Sequence, residues 1–320
     1  MKFISLFAGI GGFDLALTRQ GHECVWANEW DKYAAQIYDK NFNGNTICSK
    51  ESLSEQENLQ NDRDSSDTTS QRYRENWDKH PIDTRDIRTI LPTDIPDHDL
   101  LVGGFPCQAF SIAGKRRGFD DTRGTLFFEI ARILREKHTR LFILENVKGL
   151  LSHDNGNTFK TIIATLDELG YDLQWQVLNS KNFGVPQNRE RVFIIGNLRG
   201  TPKPKIFPFT QNNSEDIVLP TVTTRVTADS NGTYVCKRPT HKTTKSGGQI
   251  DKQIQTKSNT SNVVGGKAYS PNIRRLTPIE CERLQGFPDN WTAGVSDTQR
   301  YKCCGNAVTV NVVSYLVSKI

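Results

Sequence analysis

A cysteine that directly follows a proline at the end of an apolar run is the residue of this chain best placed for nucleophilic chemistry. Asp99 to Gly114 reads DLLVGGFPCQAFSIAG. Leu100 to Val102 predicts a buried strand that stops at Gly103 and Gly104. Pro106 fixes its own φ and biases Phe105 toward an extended backbone, so Cys107 is presented from a stiff turn. Open α/β sheets bind ligands beyond the carboxyl ends of their strands, which is where this thiol falls. A lone cysteine is more often a buried structural thiol, but the glycine and proline flanks do not suit a core. A thiolate is a soft nucleophile fit for conjugate addition at an electron-poor sp² carbon such as C6 of a pyrimidine.

That carbon reacts only when the ring is polarised. Glu145, after the apolar run Leu141 to Leu144, can donate at N3 if burial keeps it protonated, and an arginine of Gln187-Asn188-Arg189-Glu190-Arg191 can hold the O2 carbonyl. Addition at C6 makes C5 an enamine carbon able to accept a methyl group from a sulfonium. The expected cofactor is therefore S-adenosylmethionine, a nucleoside.

The elements that must position these groups are those of a mixed α/β sheet. Phe3 to Phe7 predicts a first strand, and Phe7 to Gly12, FAGIGG, a tight turn in which Gly9 and Gly11 let a nucleotide lie close. A helix follows from Phe13 to Gln20. A second strand, Glu23 to Asn28, ends at Glu29, which can accept from both ribose hydroxyls, and Trp30, which can stack on adenine. Asp86 can meet the adenine amino group, with Ile87 as an apolar wall. Thr125 to His138 predicts a helix, Phe159 to Leu169 another, and Tyr171 to Leu178 with Arg191 to Gly196 an antiparallel pair at the sheet edge. Thr277-Pro278-Ile279-Glu280 is a capping box opening a short helix, and Asn306 to Ile320 predicts a closing apolar helix.

Composition bounds the partners. The chain has 320 residues, 36% hydrophobic, with no apolar run of membrane-spanning length and no signal-peptide pattern at its start, so a cytoplasmic protein is expected. Seven cysteines without a Cys-x-x-Cys suit reduced thiols and no metal site. Charge is divided unevenly: Arg199 to Arg275 carries 13 Lys and Arg against 4 Asp and Glu, within a net +5 for the chain. That asymmetry suggests a polyanion docked on the second region. Gly114 to Gly124, with Lys115, Arg116 and Arg123, reads as a basic lid over the cysteine. Residues 48–81 read as a polar, solvent-exposed insertion. The expected domains are a catalytic unit of 1–198 plus 302–320, and a small unit of 199–301 rich in loops and β-structure. A base within a duplex must be extruded before a thiolate can reach it.

The sequence resembles the DNA (cytosine-5)-methyltransferases of bacterial and phage type II restriction-modification systems. The resemblance rests on FAGIGG at Phe7, GFPCQAFS at Gly104, DTRGTLFF at Asp121, ENV at Glu145, QNRER at Gln187, RRLTPIECERLQGFP at Arg274 and GNAV at Gly305, in that order. It implies a Rossmann-like methyltransferase fold with a small target-recognition domain. It implies Cys107 as nucleophile, Glu145 at cytosine N3, Arg191 at the base carbonyl and Arg189 in support. Phe7, Glu29, Trp30, Asp86, Ile87, Pro106, Leu126 and Asn306 would line the S-adenosylmethionine pocket. Gln108 and Ser111 would border the space left by the flipped base. Thr221 and Thr223 resemble a recognition-domain step, and Arg225, Lys237 and Arg238 are candidate DNA contacts on charge alone. A monomer bound to double-stranded DNA is expected, paired in function but not physically with a restriction endonuclease. A tRNA methyltransferase on the same scaffold and a DNA-binding protein without catalysis are the alternatives.

Overall fold

The computed structural model describes residues 1–43, 82–106, 126–202, 204–207, 219–220, 234–236 and 273–320. Cys107, Gln108, Ser111, the lid with Lys115, Arg116 and Arg123, the insertion at 48–81, and Thr221, Thr223, Arg225, Lys237 and Arg238 lie outside the described residues.

The strands are β1 (Lys2–Leu6), β2 (Glu23–Asn28), β3 (Leu100–Gly104), β4 (Leu141–Val147), β5 (Tyr171–Asn179), β6 (Gln187–Asn188), β7 (Glu190–Leu198), β8 (Leu219–Pro220), β9 (Tyr234–Cys236) and β10 (Ile273–Arg275). The helices are α1 (Gly12–Thr18), α2 (Lys32–Phe42), α3 (Leu126–Lys137), α4 (Asn157–Glu168), α5 (Pro278–Leu284), α6 (Asp297–Asn306) and α7 (Val310–Val317). Six strands form one sheet in the order β2-β1-β3-β4-β7-β5. The first four are parallel; β7 runs antiparallel to both β4 and β5. The expected antiparallel pair therefore exists, with β5 at the edge.

Strand alternation builds two hydrophobic layers. Phe3, Leu100, Val102, Leu141, Ile143, Phe193 and Ile195 face one side, where Ala16 and Leu17 of α1, Ile37 and Tyr38 of α2, and Val313 and Leu316 of α7 close over them. Ile4, Leu6, Leu101, Phe142, Leu144, Val192 and Ile194 face the other, under Ile130 and Ile133 of α3 and Ile162 and Leu166 of α4.

Two expectations are corrected. β4 runs through Glu145 to Val147 because β7 pairs along its whole length, Val147 opposite Arg191, so Glu145 sits inside the ladder rather than in a loop beyond it. The closing helix starts at Val310 rather than Asn306: Asn306 ends a separate helix, α6, and 307–309 link the two, with the Val310 amide donating to the Gln285 carbonyl at 2.9 Å. Residues 276–301 pack on the catalytic body: Phe287 and Trp291 join the first layer, and the Trp291 indole donates to the Ile10 carbonyl at 2.8 Å. The capping box forms as expected, Thr277 accepting from the Glu280 amide and Glu280 from Thr277.

Candidate active site

Topology explains why Glu145 and Arg191 meet. An antiparallel strand begins where its parallel neighbour ends, so the start of β7 lies at the carboxyl edge of β4. Arg191 is opposite Val147 on one side and Leu178 on the other. From there its Nε reaches Glu145 Oε1 at 2.9 Å. Gly104 is the register partner of Glu145 on β3, and a Cβ there would stand 3.1 Å from Glu145 Oε2, so the glycine leaves room for the carboxylate. The next residue, Asn146, is fixed by donation to the Phe105 carbonyl at 2.8 Å, which ties the end of β4 to the segment entering Pro106.

Glu145 is 8% exposed. Burial pushes its pKa above the ordinary carboxylate value, against the pull of Arg191 and Arg189. Burial thus favours the protonated carboxyl more than an exposed position would. Arg189 is 2% exposed. Burial first, and the Arg191 cation second, draw it down to about 9. Its guanidinium donates to the carbonyls of Gly305 and Ala307 at 3.1 and 2.8 Å.

Both arginines and Glu145 line one cavity of about 660 Å³ at the carboxyl edge. Its other walls include Phe7, Gly9, Glu29, Trp30, Asp86, Ile87, Pro106, Leu126 and Asn306, nine of the ten residues expected around a cofactor. Gly11, the tenth, is not in the wall. It is the N-cap of α1 at φ 82°, and a Cβ there would overlap the Phe42 ring at 2.0 Å, so its work is to turn the chain. Phe7 also has positive φ, 53°, at the point where the turn leaves β1.

The cavity suits a nucleoside cofactor on its own features. Its volume falls in the range of small-molecule sites, roughly 300–1,000 Å³. Trp30 is 68% exposed at the wall, leaving a bare aromatic surface for a base. Glu29 is held by the amides of Gly9 and Asp31, at 2.9 and 2.7 Å, and burial raises its pKa. Asp86 is clasped by Arg88, whose Nε donates at 3.0 Å and whose bonds lower the Asp86 pKa.

Three charged wall residues were not anticipated: Asp31, Arg88 and Lys302. Asp31 caps α2 and accepts from Lys302 Nζ at 2.6 Å, joining the two sides of the rim. The available signal was spacing: Lys302 precedes Asn306 by one helical turn, and Asp31 directly follows Glu29-Trp30. Among the described residues, no group of three or more His, Cys, Asp or Glu could hold a metal. No helix among them is long and apolar enough to cross a membrane.

The fold is that of the S-adenosylmethionine-dependent methyltransferases. The solved S. pombe Dnmt2 methyltransferase superposes with a TM-score of 0.67 at 18% identity, covering 99% of this chain and 97% of that one. Entamoeba histolytica methyltransferase EhMeth gives 0.63 at 17% identity, covering 100% and 97%. In sequence, the C-5 cytosine-specific DNA methylase family matches residues 1–66, 59–261 and 220–320. The type II methyltransferase M.HhaI of Haemophilus parahaemolyticus is 36% identical over 346 residues, covering 100% of this chain and 94% of that protein. M.HaeII of Haemophilus aegyptius is 38% identical over 336 residues, covering 98% and 90%. The chain belongs to the C-5 cytosine-specific DNA methylase family, and its activity is that of a DNA cytosine-5-methyltransferase.

Proposed function

We propose that the protein methylates C5 of a cytosine extruded from a specific double-stranded DNA sequence, with S-adenosylmethionine in the 660 Å³ cavity and Cys107 as nucleophile. The observation that carries this reading is the buried Glu145–Arg191 pair on the wall of that cavity, at 2.9 Å, with Glu145 raised toward its neutral form. Glu145 protonates or hydrogen-bonds N3 and Arg191 holds the O2 carbonyl, so electron density leaves the ring as the Cys107 sulfur bonds C6. C5 becomes an enamine carbon. Bound S-adenosylmethionine supplies an electrophilic methyl on a sulfonium centre. Loss of the C5 proton and expulsion of the thiolate from C6 then restore the aromatic ring.

Glu29 offers its carboxylate to the ribose hydroxyls, Trp30 and Ile87 sandwich the adenine, and Asp86 meets its amino group. Phe7, Gly9, Pro106, Leu126 and Asn306 close the remaining wall. Gln108 and Ser111 border the vacated base position. Lys115, Arg116 and Arg123 draw the lid to phosphates, while Thr221, Thr223, Arg225, Lys237 and Arg238 contact the target. The basic segment 199–275 supports DNA as the polyanion. We place the boundary of the recognition unit before Leu276, since Phe287 and Trp291 belong to the catalytic layer. The enzyme acts as a cytoplasmic monomer on the nucleoid and protects DNA from a restriction endonuclease that it need not touch, as the type II names of its relatives suggest.

Bisulfite sequencing of plasmid DNA from cells expressing the protein tests reaction and substrate together. One fully protected cytosine position within a recurring short sequence is expected. Unprotected plasmid, with methyl transfer to tRNA instead, would replace DNA as the substrate.

A further inference from the structure

The end of α6 poses a problem that the side chains of Gln285 and Arg189 solve together. The last carbonyls of a helix lack helical partners and must be satisfied from elsewhere. The Cys303 carbonyl accepts from the Ala307 amide at 3.0 Å, and that of Cys304 from the Gln285 amide side chain at 2.8 Å. The carbonyls of Gly305 and Ala307 are both taken by the Arg189 guanidinium. These two carbonyls flank Asn306, which is exposed on the cavity wall. Arg189 is itself fixed from behind: its amide donates to Asn179 Oδ1 at 3.1 Å, and its carbonyl accepts from the Ser180 amide at 3.0 Å. The Ser180 hydroxyl is bonded to Thr309 at 2.9 Å, on the far side of the same break between α6 and α7.

A guanidinium is costly to bury, and a fully buried one positioned on neutral carbonyls holds their geometry tightly. It also stands in the field of Glu145, which it favours in the charged form. From these contacts we infer that Arg189 is a positioning residue coupling the two halves of the site: it sets the wall segment that carries Asn306 against the cofactor while its charge acts on the base-binding Glu145. The inference rests on the cofactor reading given above.

The test uses the full chain and titrates S-adenosylhomocysteine by calorimetry into wild type, Arg189→Lys, Arg189→Gln, Asn306→Ala and the Arg189→Lys/Asn306→Ala double variant. Nη2 of Arg189 donates to both carbonyls; Arg189→Lys keeps the charge, but its shorter stem stops an atom short of that position, and binding weakens about tenfold. If Arg189 acts through Asn306, the double variant binds no more weakly than Asn306→Ala alone. Methyl transfer by Arg189→Gln shows its loss of rate toward high pH displaced upward, because a cation that favours ionised Glu145 is gone; Arg189→Lys leaves that limb in place. Additive losses, unchanged affinity in Arg189→Lys, or an unmoved pH limb in Arg189→Gln overturn the inference. Failure of both Arg189 variants to fold would make Arg189 a fold-holding residue and overturn it too. Absence of binding in wild type would instead sink the cofactor assignment, and the inference with it.

Discussion

Two carboxylic acids are buried beside the same sheet, and burial raises both, yet their surroundings assign them different work. Asp14 of α1 is 0% exposed and closed in by neutral donors: the Ser5 hydroxyl and the Tyr38 hydroxyl each reach it at 2.8 Å, and the Cys24 thiol at 3.6 Å. Its pKa is raised to about 6. Glu145 has cations for neighbours and a cavity in front of it. Asp14 thus ties α1 and α2 to β1 and β2, while Glu145 is left with capacity to meet a ligand. A shifted pKa marks a candidate; an open volume beside it and a second functional group distinguish a working acid from a structural one.

The largest effect that would break this contrast is on turnover. Glu145→Gln cannot transfer a proton and is expected to slow methyl transfer about 10²- to 10⁴-fold while leaving the denaturation midpoint near wild type. Asp14→Asn should do the reverse, leaving turnover close to wild type at neutral pH. Single-turnover transfer from tritiated S-adenosylmethionine, read beside urea denaturation, separates the two. If both variants lost rate alike, the division of labour would fail.

A smaller effect sharpens the same comparison through pH. The folded pKa of Asp14, about 6, lies above its model-compound value of 3.8, so the folded state binds the proton more tightly. Its stabilising contribution is complete below about pH 4 and is lost as pH rises through 6, amounting to about 3 kcal/mol. Urea midpoints measured between pH 4 and 7 should therefore fall less steeply in Asp14→Asn than in wild type. Parallel profiles would show that Asp14 does not titrate in this window.

The smallest effect concerns the cofactor wall alone. Trp30→Ala removes an aromatic face that is 68% exposed and packs little of the core. Affinity for S-adenosylhomocysteine should drop about tenfold with no change in unfolding midpoint. An unchanged affinity would remove Trp30 from the adenine site.

What the sequence displayed and what it concealed divide along distance in the chain. The apolar runs closing at Asn28, Gly104 and Leu144 were marked by the polar or glycine residues they meet, and the residues after them fall on one cavity because parallel strands share an edge. The antiparallel pairing of β5 and β7 was legible from their short connection, but the insertion of β7 beside β4 was not, and that insertion carries Glu145 into the ladder. Asn306 to Ile320 reads as one apolar helix; that it starts only at Val310 depends on Gln285, more than twenty residues earlier. Arg189 bonds carbonyls 116 and 118 residues away, a pairing no local period announces. Phe287 and Trp291 lie next to a basic, loop-rich stretch, so composition did not mark them as core aromatics, although Trp291 packs on Phe42 and Phe287 on Trp291.

The central claim is that the Cys107 sulfur bonds C6 of a flipped cytosine while Glu145 polarises the ring. Duplex oligonucleotides carrying 5-fluorocytosine at the target position lack the C5 proton whose loss would release the enzyme. Incubated with the protein and S-adenosylmethionine, they should give a stoichiometric adduct stable to denaturing electrophoresis, abolished by Cys107→Ala and strongly slowed by Glu145→Gln. Efficient methylation of ordinary cytosine with no adduct on the fluorinated duplex would contradict the account.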